Sequence, residues 1–168
     1  MVKAKFEGRE KLTRKLQKLV PEAEKEYAKA IETGARELAG AIAARAPRDS
    51  GEYAASIEAD KLSSRPGKSQ IGIQQTKDPN AWGVFANYIW RFIEYGTRAH
   101  VIKAKNASRL LWRNETGDTV AAARVSHPGQ AAQPHIFPTY RAMRKRIRSR
   151  VTRAINKAVR KVAAGGGP

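Results

Sequence analysis

The stretch Ala46-Pro47-Arg48-Asp49-Ser50-Gly51-Glu52-Tyr53-Ala54-Ala55-Ser56-Ile57 is where helical sequence gives way to strand sequence. Pro47 lacks a backbone donor and its ring collides with the preceding turn, so a helix stops there. Asp49-Ser50-Gly51 reads as a turn and a candidate N-cap for a single helical turn through Ala54. Two later stretches have the same character of a junction between elements: Tyr88-Ile89-Trp90-Arg91-Phe92-Ile93-Glu94-Tyr95-Gly96-Thr97, and His127-Pro128-Gly129-Gln130-Ala131-Ala132-Gln133-Pro134-His135-Ile136-Phe137-Pro138.

Upstream of Pro47 the pattern is helical. Leu12, Leu16 and Leu19 predict a short amphipathic helix from Phe6 to Leu19. Pro21 is expected to restart the chain, with Glu22, Glu24 and Glu26 suiting a positive helix N-terminus. Tyr27, Ile31, Ala35, Leu38 and Ile42 carry a second helix to about Ala46. Gly34, Ala35, Ala39, Gly40 and Ala41 would let another backbone approach closely.

Downstream the segments are short. Ser56–Leu62 and Ser69–Thr76 partly alternate, with Arg65-Pro66-Gly67-Lys68 between them, and predict a hairpin. Asp78-Pro79-Asn80 is a loop. The aromatic-rich run from Val84 to Tyr95 holds Phe85, Tyr88, Trp90, Phe92 and Tyr95. Its later part reads as a buried helix stopped at Gly96, although a strand has the same periodicity signal. Further strands are expected at His100–Lys105, Ala107–Arg113 and Thr119–Val125, with turns at Asn106 and Asn114–Asp118 and a loop from Ser126 to Gln133. Pro138 is expected to open the last helix, with an apolar stripe of Tyr140, Met143, Ile147, Val151, Ile155 and Val162, filled in by Ala154 and Ala158. A small-residue tail spans 163–168.

The 168 residues favour one domain, and 41% hydrophobic content supports a modest core. Cysteine is absent, which excludes disulfides and thiolate chemistry in this chain. No run of 18 apolar residues predicts a membrane span, and the first residues lack the apolar stretch of a secretory signal. The net charge is +18. The last acidic residue is Asp118, and beyond it the chain carries +11 with no carboxylate. Self-repulsion on this scale calls for a polyanion or an acidic protein surface.

Residues that could carry chemistry do not assemble into a motif. His100, His127 and His135, with Glu94 as a fourth ligand, could be imagined around zinc, but their spacing matches no metal motif. Asp49, Ser50 and a histidine could be imagined as a hydrolytic set, but no nucleophile elbow is present. Gly165-Gly166-Gly167 precedes no helix and is not a phosphate loop. Glu94 sits among aromatics just before a helix stop: if part-buried it calls for a partner, with arginine the expected one, and the equal alternative is a surface Glu at the end of an amphipathic segment. In the terminal helix the basic side chains could be solvated, could bind phosphates, or could dock on an acidic ring. Without carboxylates at i, i+4 the first reading is the weakest.

Taken in order, the three stretches resemble the tail-completion and neck proteins of long-tailed bacteriophages. Ala46, Pro47, Asp49, Gly51, Ser56 and Ile57 match that family's first phrase, with Ser50 and Tyr53 as mild replacements. Tyr88, Glu94, Tyr95, Gly96 and Thr97 match the second, with Ile89 for Ala and a spacing one or two residues longer. His127, Pro128, Gly129, Ala132 and Pro134 match the third, with His135-Ile136 departing from it. The likeness runs from residue 6 to about 160.

The resemblance implies an α+β fold: a small antiparallel sheet packed against a long N-terminal helix and a basic C-terminal helix. It implies a single domain with a helical region at 6–46, a β-rich core with a short helix at 47–137, and the basic helix at 138–162. It further implies a virion protein, made in the bacterial cytoplasm, forming a homo-oligomeric ring at the head–tail joint. That ring is sixfold, or twelvefold as the other count. Its expected partners are the portal-side neck proteins, the tail terminator or tail tube, and the DNA in the channel. No enzyme activity and no cofactor are expected. The candidate interface or DNA-facing residues are Arg141, Arg144, Lys145, Arg148, Arg153 and Lys157. The candidate structural residues are Pro47, Asp49, Gly51, Glu94, Gly96, Pro128, Gly129 and Pro134. The rival reading is a small basic nucleic-acid-binding protein.

Overall fold

The structure, a computed structural model, describes residues 9–64, 70–72, 78, 80–105, 107–114 and 116–164. The expectations placed on Phe6, on the side chains of Leu12 and Leu16, on the 65–68 turn, on Asn106 and on 165–168 lie outside the described residues. The chain divides into two units, residues 1–87 with 135–168, and residues 88–134.

In the first unit, helix α1 runs without interruption over Arg9–Arg45. The expected break at Pro21 does not occur. Proline deprives the carbonyl four residues earlier of its partner. Here Gln17 and Pro21 are both exposed, so water can serve that carbonyl. The helix does stop before Pro47. A single turn, α2 (Glu52–Ala55), follows, and its N-cap is Gly51 at φ 82°, the last residue of the expected Asp49-Ser50-Gly51 turn, with no side-chain cap bond. Ser50 Oγ accepts a long 3.4 Å bond from the Glu52 N–H.

Three strands form the sheet: β1 (Glu58–Lys61), β2 (Gln70–Ile71) and β3 (Trp82–Phe85), in the order β1-β3-β2, all antiparallel. The predicted hairpin is therefore wrong, because β1 and β2 flank β3 and do not pair with each other. Strand β3 escaped notice because Gly83, Val84 and Phe85 are all buried, so the strand shows no alternation. Its Phe85 faces Glu58 on one side and Gln70 on the other. The sheet packs on α1. Tyr27 donates to Asp78 Oδ2 at 2.7 Å, and the Arg36 guanidinium lies 5.2 Å over Trp82, so two turns of α1 grip the entry to β3. Ser56, from the first quoted stretch, donates to the Tyr53 carbonyl at 2.7 Å and accepts from the Asn87 N–H at 3.0 Å. One hydroxyl thus ties α2 to the end of β3.

Helix α4 (Ile136–Ala163) starts two residues before Pro138 and includes Ala163. Pro138 is harmless there, since the first four N–H groups of a helix have no intrahelical acceptor. α4 lies antiparallel on α1, with contacts from Arg45–Thr139 at one end to Glu22–Lys161 at the other. Gly34 permits the closest approach: a Cβ built there would lie 3.1 Å from Ile147 Cγ2. Gly40 plays no such part, with nothing within 4 Å. The buried positions on α4 are Ile136, Thr139 and Ala158, while Tyr140 and Ile155 of the expected stripe are exposed.

Glu37 anchors this helix pair. Its Oε1 accepts from Arg150 at 2.6 Å, and Arg146 approaches Oε2 at 3.2 Å. The hydrogen bond from Arg150 holds the Glu37 carboxyl below the usual carboxylate range. Desolvation opposes this, and the charges of Arg150 and Arg146 reinforce it. At the far end the Lys161 hydrogen bond lowers Glu22, and Glu22 raises Lys161. A lowered carboxylate adds stability above its unfolded pKa and loses it as pH falls through the folded value. A raised lysine adds stability below its unfolded pKa and loses it as pH rises through the folded value. The melting temperature should therefore hold across neutral pH and fall on the acid side as Glu37 protonates. Glu37→Gln should lower the neutral-pH melting temperature by roughly 2–4 °C, because the pair is partly screened. It should also flatten the acid limb. Melts of both proteins across pH check this, and an unchanged acid limb would remove Glu37 from the account.

The second unit contains helix α3 (Trp90–Tyr95) and strands β4 (His100–Lys103), β5 (Leu110–Arg113), β6 (Thr119–Ala122) and β7 (Arg124–His127). The run expected as one strand at Thr119–Val125 is two, divided at Ala123, and the second extends into the expected loop. β4 pairs with β7 and β5 with β6, both antiparallel. These pairings are nested, so the two short two-stranded sheets form an interrupted ribbon, broken between β6 and β7 at Ala123. Its tip is the predicted Asn114–Asp118 turn. There the Asn114 Oδ1 accepts from the Asp118 N–H at 2.8 Å and from the Thr116 hydroxyl at 2.7 Å.

Candidate functional site

Two of the three quoted stretches lock together inside the second unit. Thr97 and Gln130 exchange two backbone hydrogen bonds, at 2.9 and 3.1 Å, and the Gln133 N–H donates to the Ile93 carbonyl at 2.8 Å. Gly96 ends α3 at φ 71°, ψ −179°, a region that only glycine occupies readily. Gly129 sits across from it at φ 88°. A Cβ on Gly96 would lie 2.6 Å from the Gln130 carbonyl oxygen, and one on Gly129 would lie 2.3 Å from that of Thr97. Each glycine is thus required by the other strand's backbone. Pro128 and Pro134, which flank this crossing, are exposed.

The first and third stretches meet in the other unit. Tyr53 OH and His135 Nε2 are hydrogen bonded at 2.8 Å, both buried, with their rings edge to face. Thr139 donates to the His135 carbonyl at 2.6 Å and accepts from Arg45 at 2.9 Å. His135 is therefore a packing residue at the N-cap position of α4. His100 and His127 face each other across β4 and β7, with ring centroids 5.1 Å apart. His100 Nδ1–H donates to the Arg98 carbonyl, and His127 Nδ1 accepts from the Gly129 N–H. The second histidine thus supports the glycine turn. Among the described residues no group of three metal-ligating side chains comes together.

Glu94 is 3% exposed and shares the inner side of α3 with Trp90. The other aromatics of this run do not form a core. Tyr88 is 67% exposed, and Phe92 and Tyr95 are also exposed. The helix expected to be buried in this run is thus buried at Trp90 and Glu94 but not at Phe92 or Tyr95. A six-residue helix turns one face inward, so most of its bulky side chains must point out. On the ribbon Val101, Ile102, Leu111 and Trp112 are exposed as well, Leu111 to 71%, and each adjacent pair points to opposite faces. Sequence reading missed this surface, because alternation in short strands looks the same whether a face meets a core or a partner.

The basic residues of α4 divide more sharply than the sequence suggests. Arg146, Arg150 and Lys161 of α4 spend their charge on Glu37 and Glu22 of α1. Arg141, Arg144, Lys145, Arg148 and Arg153 instead line one open groove along α4 with Ser149 and Thr152. Among the described residues none of these five has a carboxylate within ion-pair distance. Lys157 is exposed on the same helix but does not line that groove. At about 100° per residue, Arg141, Lys145, Arg148 and Thr152 fall on the side of α4 opposite Ile147 and Arg150, which face α1. No described helix is long and apolar enough to cross a membrane.

Residues 10–96 match a protein-family model described as "Bacteriophage HK97-gp10, putative tail-component". The match takes in α1 from its second residue, the first quoted stretch, the three-stranded sheet and the second stretch up to Gly96, where it ends. The third stretch and α4 lie beyond it. No curated protein and no solved structure matches the chain.

Proposed function

The chain belongs to the HK97 gp10-like family of bacteriophage tail components, and on that premise we propose that it is a structural protein of the head–tail junction. Copies of it form a ring, sixfold in our reading. The ring joins the portal-side proteins to the tail and surrounds the DNA channel in the virion. The protein works by fitting surfaces together and carries out no catalysis.

The observation that carries this reading is the second unit's ribbon. A two-stranded ribbon is marginal in water without a covered apolar face. This one leaves Val101, Ile102, Leu111 and Trp112 exposed, adjacent pairs that point to both of its faces. Such a surface suits a subunit that completes its fold against neighbours. The rival reading, a free-standing nucleic-acid binder, draws support from the unpaired cations of α4 but leaves the apolar ribbon without a purpose. Cryo-electron microscopy of the purified native particle tests the choice. A ring of this chain below the portal is expected, with the ribbon apolar side chains buried between copies or against an adjacent ring. Particles that lack the chain would overturn the proposal.

A further inference from the structure

We infer that the outward face of α4 is a binding surface for the phosphodiester backbone of duplex DNA, read without regard to base sequence. This deepens the channel-ring reading and rests on it for its setting in the particle. Packing on α1 uses Ile147, Arg150, Ala158 and Lys161, and the carboxylates of α1 neutralise only the cations on that side. Arg141, Arg144, Lys145, Arg148 and Arg153 take no part, and crowding five cations onto one groove raises the energy of the isolated chain. Among the described residues they have no carboxylate partner, so the compensating charge is to be supplied from outside.

The geometry suits a regular polyanion. From Arg141 to Arg153 the helix rises about 18 Å. A DNA strand presents a phosphate about every 3.4 Å of axis, or roughly five over that length. Four of the five cations are arginines, whose forked donors fit phosphate oxygens. Ser149 and Thr152 add hydroxyl donors of the kind that hold a duplex in register. The groove offers no asparagine or glutamine to read a base edge.

The test is the salt dependence of duplex binding by the full chain, followed by fluorescence anisotropy on DNA of mixed sequence. Five phosphate contacts predict a slope of log K against log salt near −4.5, or about a 500-fold loss of affinity between 50 and 200 mM salt. The triple variant Arg144→Gln, Arg148→Gln, Arg153→Gln should lose only about tenfold over the same range. A charge-matched control, Lys103→Gln, Lys105→Gln, Arg109→Gln on the other unit, should keep the parental slope. Circular dichroism confirms that each variant is folded, since all six side chains are exposed. Three outcomes would overturn the inference: no duplex binding at low salt, an unchanged slope in the α4 variant, or an equal flattening in the control. Binding to poly-glutamate but not to duplex DNA would reassign the face to an acidic protein. The DNA test is independent of particle location. A chain found at the junction with a flat DNA slope sinks this inference alone. A chain that binds DNA through α4 but is missing from particles sinks the ring reading alone.

Discussion

Gly96→Val is expected to unlock residues 88–134 while leaving the α1–α4 pair folded. The backbone at Gly96 occupies a region that costs other residues about 1–3 kcal/mol. The added Cβ would also press on the Gln130 carbonyl oxygen at 2.6 Å and the Ala132 nitrogen at 2.8 Å. Neither atom can step aside cheaply, because both belong to the backbone held by the Thr97–Gln130 exchange and the Gln133–Ile93 bond. Together these put the loss at about 4 kcal/mol or more. Hydrogen exchange and limited proteolysis should show 88–134 opening, with the far-ultraviolet helical signal largely kept. Gly129→Ala should reproduce the effect from the opposite side of the crossing. Unchanged protection and an unchanged melting temperature in either variant would contradict the crossing geometry.

Ile42→Ala should act on the other unit. Ile42 is 1% exposed, on the α1 side that also buries Ala39 and Ala46. Removing its outer carbons forfeits their transfer energy and leaves a cavity, at a cost of about 2–5 kcal/mol. The helical melting transition should fall by on the order of 5–15 °C. Few large side chains in this unit are fully buried, so the loss of one is not easily shared. A shift within a degree would mean that the helix and sheet are held mainly by their polar contacts.

The two effects fall on different units, and the sequence foretold one better than the other. Gly96 as a stop, the turn at Asn114–Asp118 and the end of α1 before Pro47 were all legible, because each depends on local backbone chemistry. The α+β arrangement of sheet and two helices was legible as well. What was not legible depended on neighbours far along the chain. Val84 and Phe85 read as the start of an aromatic run until β1 and β2 are known to lie on both sides of β3. Pro21 reads as a break until its exposed side is known. The uniform basicity after Asp118 conceals a division that only the carboxylates of α1, more than a hundred residues earlier, reveal. Arg146 and Arg150 hold a helix in place, while Arg144 and Arg148 on the same helix do not.

The ribbon of the second unit also bears on how newly made copies survive before assembly. Among the described residues its two edges pair with no further strand, and rows of open N–H and C=O groups invite aggregation. Lys103 stands directly opposite Arg124 in the register, with Arg113 near the tip. Like charges at such a spacing weaken the ribbon slightly, but they also discourage one ribbon from stacking on another. The same cations that strain the isolated arm would keep it soluble, so that fibril-like association is disfavoured until a partner with the right shape and charge arrives.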